Sequence, residues 1–190
     1  MGRAFAERAF TPRVQTLQAA AGSREAYARM AQQGEAGATL GDEEADFIEA
    51  RDGCYLATIG ETGWPYVQFR GGPAGFLKAL DSHTIAYADF RGNLQYISMG
   101  NLQGDNRVSL ILMDYAAQRR LKILGRARVV DVASDPALVA ALQVPGYRAR
   151  AERAVVITVE AFDWNCPQHI TPRYTRAEIS AHRPTTSVRE

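Results

Sequence analysis

Between residues 119 and 132 apolar and basic positions alternate. Leu121, Ile123, Gly125, Ala127 and Val129 fall on one side, and Arg120, Lys122, Arg126 and Arg128 fall with Leu124 on the other. A period of two predicts a strand with one buried face. In residues 107–113, Val108, Leu110 and Leu112 fill one face and Ile111 and Met113 the other, which predicts a central strand covered on both sides. Residues 54–59 and 64–70 read as a hairpin around the Gly60-Glu-Thr-Gly63 turn. Short strands are expected at 76–80 and 84–88, around Asp81-Ser-His83, with a last one at 154–162. The 3.6-residue period appears at 14–33, where Val14, Leu17, Ala20 and Ala21 share a face. Beyond Gly22-Ser23, Tyr27 and Met30 share another, with Ser23 as a cap. Asp42 is the expected cap of a helix over 42–51, with Glu43 and Glu44 in its first turn and Phe47 and Ile48 as anchors. Two further short helices are predicted. One covers 93–99 and is closed by a left-handed Gly100; the other covers 135–142 and is capped by Ser134, with Pro136 at its first position.

Many short antiparallel strands with small helical inserts predict a mainly β fold, a split β-barrel with peripheral helices and an N-terminal helical extension. Strands do not alternate with long helices, and no Gly-x-Gly-x-x-Gly follows a strand, so a Rossmann fold is disfavoured. Residues 1–45 form the helical extension, packed on the same domain; 46–170 form the barrel; 171–190 form a polar tail expected to be partly ordered at best.

Composition narrows the function. The 190 residues carry 22 Lys and Arg against 21 Asp and Glu, so no nucleic-acid partner is implied. No run approaches the ~20 apolar residues of a membrane span, and the charged N-terminus is not read as a secretory signal. The two cysteines, Cys54 and Cys166, form no paired motif, which suits buried thiols in a reducing cytoplasm. His83, His169 and His182 give no metal-ligand spacing, and neither a Gly-x-Ser-x-Gly elbow nor a Walker loop is present.

Four stretches could carry chemistry. The Arg91-Gly-Asn93 turn before a helix could bind an anion through free N–H groups and a guanidinium, or could be a plain cap. Tyr66-Val-Gln-Phe-Arg-Gly-Gly-Pro73 sets glycines beside a strand, for close approach to a ligand or as a wide turn. Arg120 and Lys122 could meet a phosphate or an anionic ring in a groove between subunits, or be solvated. In Phe162-Asp-Trp-Asn-Cys-Pro-Gln-His169, Trp164 could stack on a planar ring with Gln168 and His169 hydrogen-bonded to its edge, or plug the barrel end. Cys166, followed by Pro167, reads as a packed thiol in preference to a nucleophile.

These residues also carry a resemblance. "RDGCYLATIGETGWPYVQFRGGPAGFLKALDSHTIAYADFRGNLQYISMGNL", "RVSLILMDY", "RLKILGRARVV" and "DWNCPQHI" are similar to the flavin-nucleotide-binding proteins related to pyridoxamine 5′-phosphate oxidase, as is "GSREAY" in the helical extension. The resemblance runs from about Phe10 to Thr175. It implies a homodimer with FMN in an interface groove and an oxidoreductase activity fed by a nicotinamide nucleotide or another small electron donor. It also leaves room for a non-catalytic FMN carrier or sensor, or for deazaflavin or haem. The cofactor residues implied are Gln68, Arg70, Gly72, Lys78, Tyr87, Ala88, Asp89, Arg91, Asn93, Tyr96, Asn101, Arg120 and Lys122, with Trp164 and Gln168 reaching in from the partner subunit. Arg91, Asn93 and the helix start would lie near the phosphate. Where the oxidases carry Ser-Arg-Lys, this chain has Gly92-Asn-Leu94, and Phe69 stands where the family pattern has His. No C-terminal arginine segment for pyridoxal phosphate is evident, so vitamin B6 oxidation is not expected.

Overall fold

The computed structural model describes residues 2–33, 36–164 and 168–181. The chain runs α1 (Arg3–Ala9), α2 (Pro12–Ala20), α3 (Arg24–Gln33), α4 (Asp42–Glu49), β1 (Gly53–Ile59), β2 (Pro65–Gly71), β3 (Leu77–Asp81), β4 (Thr84–Phe90), α5 (Ile97–Gly104), β5 (Arg107–Asp114), β6 (Arg119–Asp131), α6 (Pro136–Ala141), β7 (Ala151–Trp164) and α7 (Arg176–Ala181). All seven strands form one sheet in the order β2-β1-β5-β6-β7-β4-β3, and every pairing is antiparallel. Consecutive strands β2 and β3 lie at opposite ends of that order, so the sheet must roll to let a short connection join them. Among the described residues no ladder pairs β2 with β3 or β4. The seam is crossed instead by an ion pair, Arg70 Nη1 to Asp89 Oδ1 at 3.2 Å.

The inward faces of the strands supply the barrel core, including Leu56, Ile85, Tyr87, Leu110, Leu112, Leu121, Ile123 and Ile157. A second cluster lies under α6, where Val139 and Leu142 pack on Ala86, Ala88, Ala154 and Val156. β4 is therefore covered on both faces, as is β7 over residues 154–157, and the alanines of β4 let the helix approach. β5 is not: Ile111 is 38% exposed, contrary to the expectation from its pattern. α1 packs on β7 and on α3. The face expected for the second helix is not buried either, since Leu17 is 71% exposed and the buried residue of α2 is Gln18.

Helix ends follow local chemistry, with shifts from expectation. Gly41, not Asp42, caps α4, and its N–H donates to the Glu44 carboxylate at 2.9 Å. Asp135, not Ser134, caps α6 by accepting from the Leu138 N–H at 2.9 Å. α5 starts at Ile97, four residues later than Asn93, and Gly100 sits inside it instead of closing it. The delay comes from Leu94 and Tyr96, whose φ values of 64° and 51° break the helical run. Part of the tail, α7, is helical. No described helix is long and apolar enough to cross a membrane.

Candidate functional site

The candidate site lies at the seam. Gln68 and Arg70 project from the inner face of edge strand β2, beside Leu56 and Cys54 of β1 in the ladder. Across from them β4 offers Asp89, the third residue of its inward series after Ile85 and Tyr87. Asp89 is buried between two guanidiniums, Arg70 at 3.2 Å and Arg153 Nε at 3.7 Å. Burial pushes its carboxyl above the usual range and Glu152 pushes the same way, while Arg70 and Arg153 oppose them.

A β-bulge completes the cluster. Asp89 pairs with Arg153 and Phe90 with Ala151, so Glu152 is the extra residue on β7. Such a residue is re-aimed out of the regular alternation. The Glu152 carboxylate accepts from Arg153 Nη2 at 2.9 Å and from the Tyr96 hydroxyl at 3.1 Å, and lies 3.7 Å from Arg91 Nε. Arg153 also lies over the Tyr96 ring, 4.9 Å from its centroid. Asn93 Oδ1 accepts from the Gln95 N–H at 3.2 Å, and Ser98 Oγ donates to Gln68 Oε1 at 3.3 Å.

These groups line a cavity of about 200 Å³ bounded by Gln68, Arg70, Asp89, Asn93, Tyr96 and Glu152. A second cavity of about 260 Å³ shares Arg70, Asp89, Phe90 and Gly92 with it and adds Phe69, Tyr87, Ala88, Arg91 and Tyr147. Each is smaller than the ~300–1,000 Å³ of a typical ligand pocket, so a mononucleotide would need both and a further wall. Beneath them Tyr87 is fully buried, and its hydroxyl has no hydrogen-bond partner among the described residues, nor has Arg70 Nε. Burial raises the Tyr87 hydroxyl pKa and pushes the neighbouring Cys54 thiol up to about 12. Among the described residues no cluster of His, Cys, Asp and Glu could hold a metal.

The remaining expected residues are spread out. Gly72 adjoins the cavities and gives its N–H to the Asp52 carbonyl; a Cβ there would stand 2.7 Å from Phe76 Cβ. Asn101 donates to the Thr58 hydroxyl at 2.9 Å and lines a separate groove beside the β1–β2 turn. Lys78 Nζ is tied to the Ala141 carbonyl at 2.7 Å. Arg120 and Lys122 lie on the opposite, outer face of β6; Lys122 is paired with Asp163 at 3.1 Å and lies over the Phe5 ring of α1. Trp164 donates to Glu44 Oε1 at 2.7 Å and packs edge-on against Phe47. Gln168 lies on an exposed turn, and Cys166 and His182 fall outside the described residues. Glu152, Arg153 and Ser98 were not expected. A charged pair ahead of an apolar run was their signal, but the bulge that turns Glu152 leaves none.

A rolled antiparallel sheet with a charged cavity at its open seam defines a split-barrel protein. The chain belongs to the pyridoxamine 5′-phosphate oxidase family, whose model matches residues 40–164. No curated protein matches it. Solved structures share the fold. A point variant of HupZ from Group A Streptococcus has a TM-score of 0.50 at 14% identity, over 66% of this chain and 99% of that one. A candidate pyridoxamine 5′-phosphate oxidase from Lactobacillus delbrueckii has a TM-score of 0.50 at 20% identity, over 66% and 93%. A conserved hypothetical protein of Mycobacterium tuberculosis has a TM-score of 0.50 at 20% identity, over 74% and 94%.

Proposed function

We propose that the seam cavities hold FMN between two copies of this chain, and that the protein is an FMN-dependent oxidoreductase exchanging electrons with a nicotinamide nucleotide or another small molecule. The chief support is the clustering of three guanidiniums at the seam: Arg70 lines both cavities, Arg91 lines the second, and Arg153 is paired with Asp89 and Glu152, which line the first, a set suited to a phosphate. Aromatic walls stand beside it, with Phe90 packed edge-on against Tyr147 at 5.1 Å, a surface suited to a flat ring. Gln68, held by the Ser98 hydroxyl, offers a hydrogen-bonding amide in the first cavity. When bound, FMN supplies the redox chemistry itself. The chain binds it, orients it and sets the charge around it.

The pairing of two copies is supported by the outer face of the sheet. Phe69, Tyr55 and Ile111 are cross-strand neighbours there, at 57%, 42% and 38% exposure, and Lys122 pairs with Ile111 in the same row. A contiguous apolar strip of this kind marks an interface. Pairing through it would turn Arg120 and Lys122 toward the second copy and supply the wall that each cavity lacks.

The test is an absorbance spectrum of the purified protein, repeated after adding FMN and gel filtration. A retained two-banded flavin spectrum in a dimer-sized particle is expected, followed by turnover with NADH or NADPH and a dye acceptor. Retained flavin without turnover would make the protein a carrier or sensor. A Soret band, or a single violet band from deazaflavin, would replace FMN.

A further inference from the structure

The cations of the site are already engaged by an anion of the chain itself. Arg70 and Arg153 are both paired with Asp89, and Arg91, with its side chain 51% exposed, is the guanidinium most open to an incoming group. Glu152, whose side chain is 18% exposed, accepts from Arg153 at 2.9 Å and from the Tyr96 hydroxyl, and lies 3.7 Å from Arg91 Nε. One carboxylate thus gathers two guanidiniums and a phenol, a donor set that would equally suit a phosphate oxygen. The bulge on β7 is what turns it there.

We propose that Glu152 is an internal stand-in for the ligand's phosphate, a specificity-determining residue that a phosphate-bearing ligand must displace from Arg91 and Tyr96. The identity of that ligand as FMN rests on the function proposed above. Three guanidiniums face two carboxylates here, so the surplus positive charge is small, and an anion entering beside Glu152 meets its repulsion. A loose anion gains too little to evict it. A mononucleotide brings the contacts of its ring as well and can.

Tyr96 links the event to the backbone. An aromatic residue with a φ of 51° is in a costly conformation, held here by the hydroxyl tether to Glu152 and the Arg153 stack. Eviction of Glu152 releases that tether, so occupancy of the site and the path of residues 94–96 are coupled.

The experiment compares the full chain with Glu152→Gln, which keeps the shape and one acceptor but loses the charge. Binding of FMN, riboflavin and inorganic phosphate is followed by calorimetry and flavin fluorescence at fixed pH and salt. FMN is expected to bind about tenfold more tightly to the variant, riboflavin unchanged, with phosphate competing at lower concentration. Glu152→Asp, which keeps the charge but falls one methylene short of Arg91, should gain about threefold, and serves if the Gln variant does not fold. FMN binding by the wild type with an equal or weaker variant would mean that Glu152 only braces Arg153 and Tyr96, and would overturn the proposal. If neither form binds FMN, the FMN reading fails. Phosphate alone then decides the stand-in: tighter phosphate binding by the variant supports it, and no change overturns it.

Discussion

At Tyr87 a hydroxyl lies in the barrel core with no partner among the described residues. An unsatisfied buried polar group is a penalty that removing it relieves. Tyr87→Phe should therefore raise stability by about 1 kcal/mol in urea unfolding; a loss of stability would mean that the hydroxyl is bonded in solution. Cys54 sits beside it, its thiol pushed up to about 12 by burial and drawn down by Arg70. A thiol harder to ionise in the folded chain contributes stability that is fully present below its ordinary value of 9.0 and is lost as pH climbs toward about 12. Unfolding free energy should fall over that range, with Tyr87 adding to the fall, and Cys54→Ala should flatten the slope. Denaturant titrations at stepped alkaline pH check this, and equal slopes in both proteins would refute it.

The elements show which signals a sequence can carry. The alternation over 119–132 marks β6, and its apolar side is the buried one through Ala127. The Gly60–Gly63 turn marks the first hairpin, whose Gly63 has a φ of +82°. Alternation reports which residues share a face; it does not report what covers that face. For this reason the pattern places Ile111 inside where the structure exposes it, and the alanines of β4 give no hint of the helix above them. The start of α5 is hidden because left-handed Leu94 and Tyr96 carry no compositional mark, unlike a glycine. Gln68, Arg70, Asp89, Arg91, Asn93 and Tyr96 come together as a set because they lie on either side of one seam. Lys78 and Asn101 belong to other contacts, and Glu152 is invisible in the sequence because a register shift, not a motif, aims it. A further register shift, where Leu124 pairs with Ala161 and Gly125 with Val159, leaves Glu160 of β7 as the extra residue. A Cβ at Gly125 would run into the Thr158 carbonyl oxygen and stand 2.9 Å from Ile157 Cγ2. Gly125→Ala should cost about 2–3 kcal/mol, read as a lower urea midpoint, while an alanine at open Gly92 should leave the midpoint unchanged.

For the whole molecule, the family match starts at residue 40, so α1, α2 and α3 lie outside it. Through Phe5 over Lys122 and Arg8 at 3.4 Å from Glu160, α1 rests on the charged rows of β6 and β7. The apolar row of Phe69, Tyr55 and Ile111 is left open beside it. If two copies meet there, Phe69→Glu with Ile111→Glu should give a monomer by analytical ultracentrifugation and lose FMN in the same step. A double variant that keeps the wild-type sedimentation would move the interface elsewhere. Away from the seam the wall is stitched by ladders, but β2 and β4 meet through a charge pair, so the barrel has a hem held by a clasp. Among the described residues opening it breaks no β2–β4 ladder, so a flat guest too large for the closed cavities would enter at the expense of the Arg70–Asp89 pair and the Ser98–Gln68 hydrogen bond.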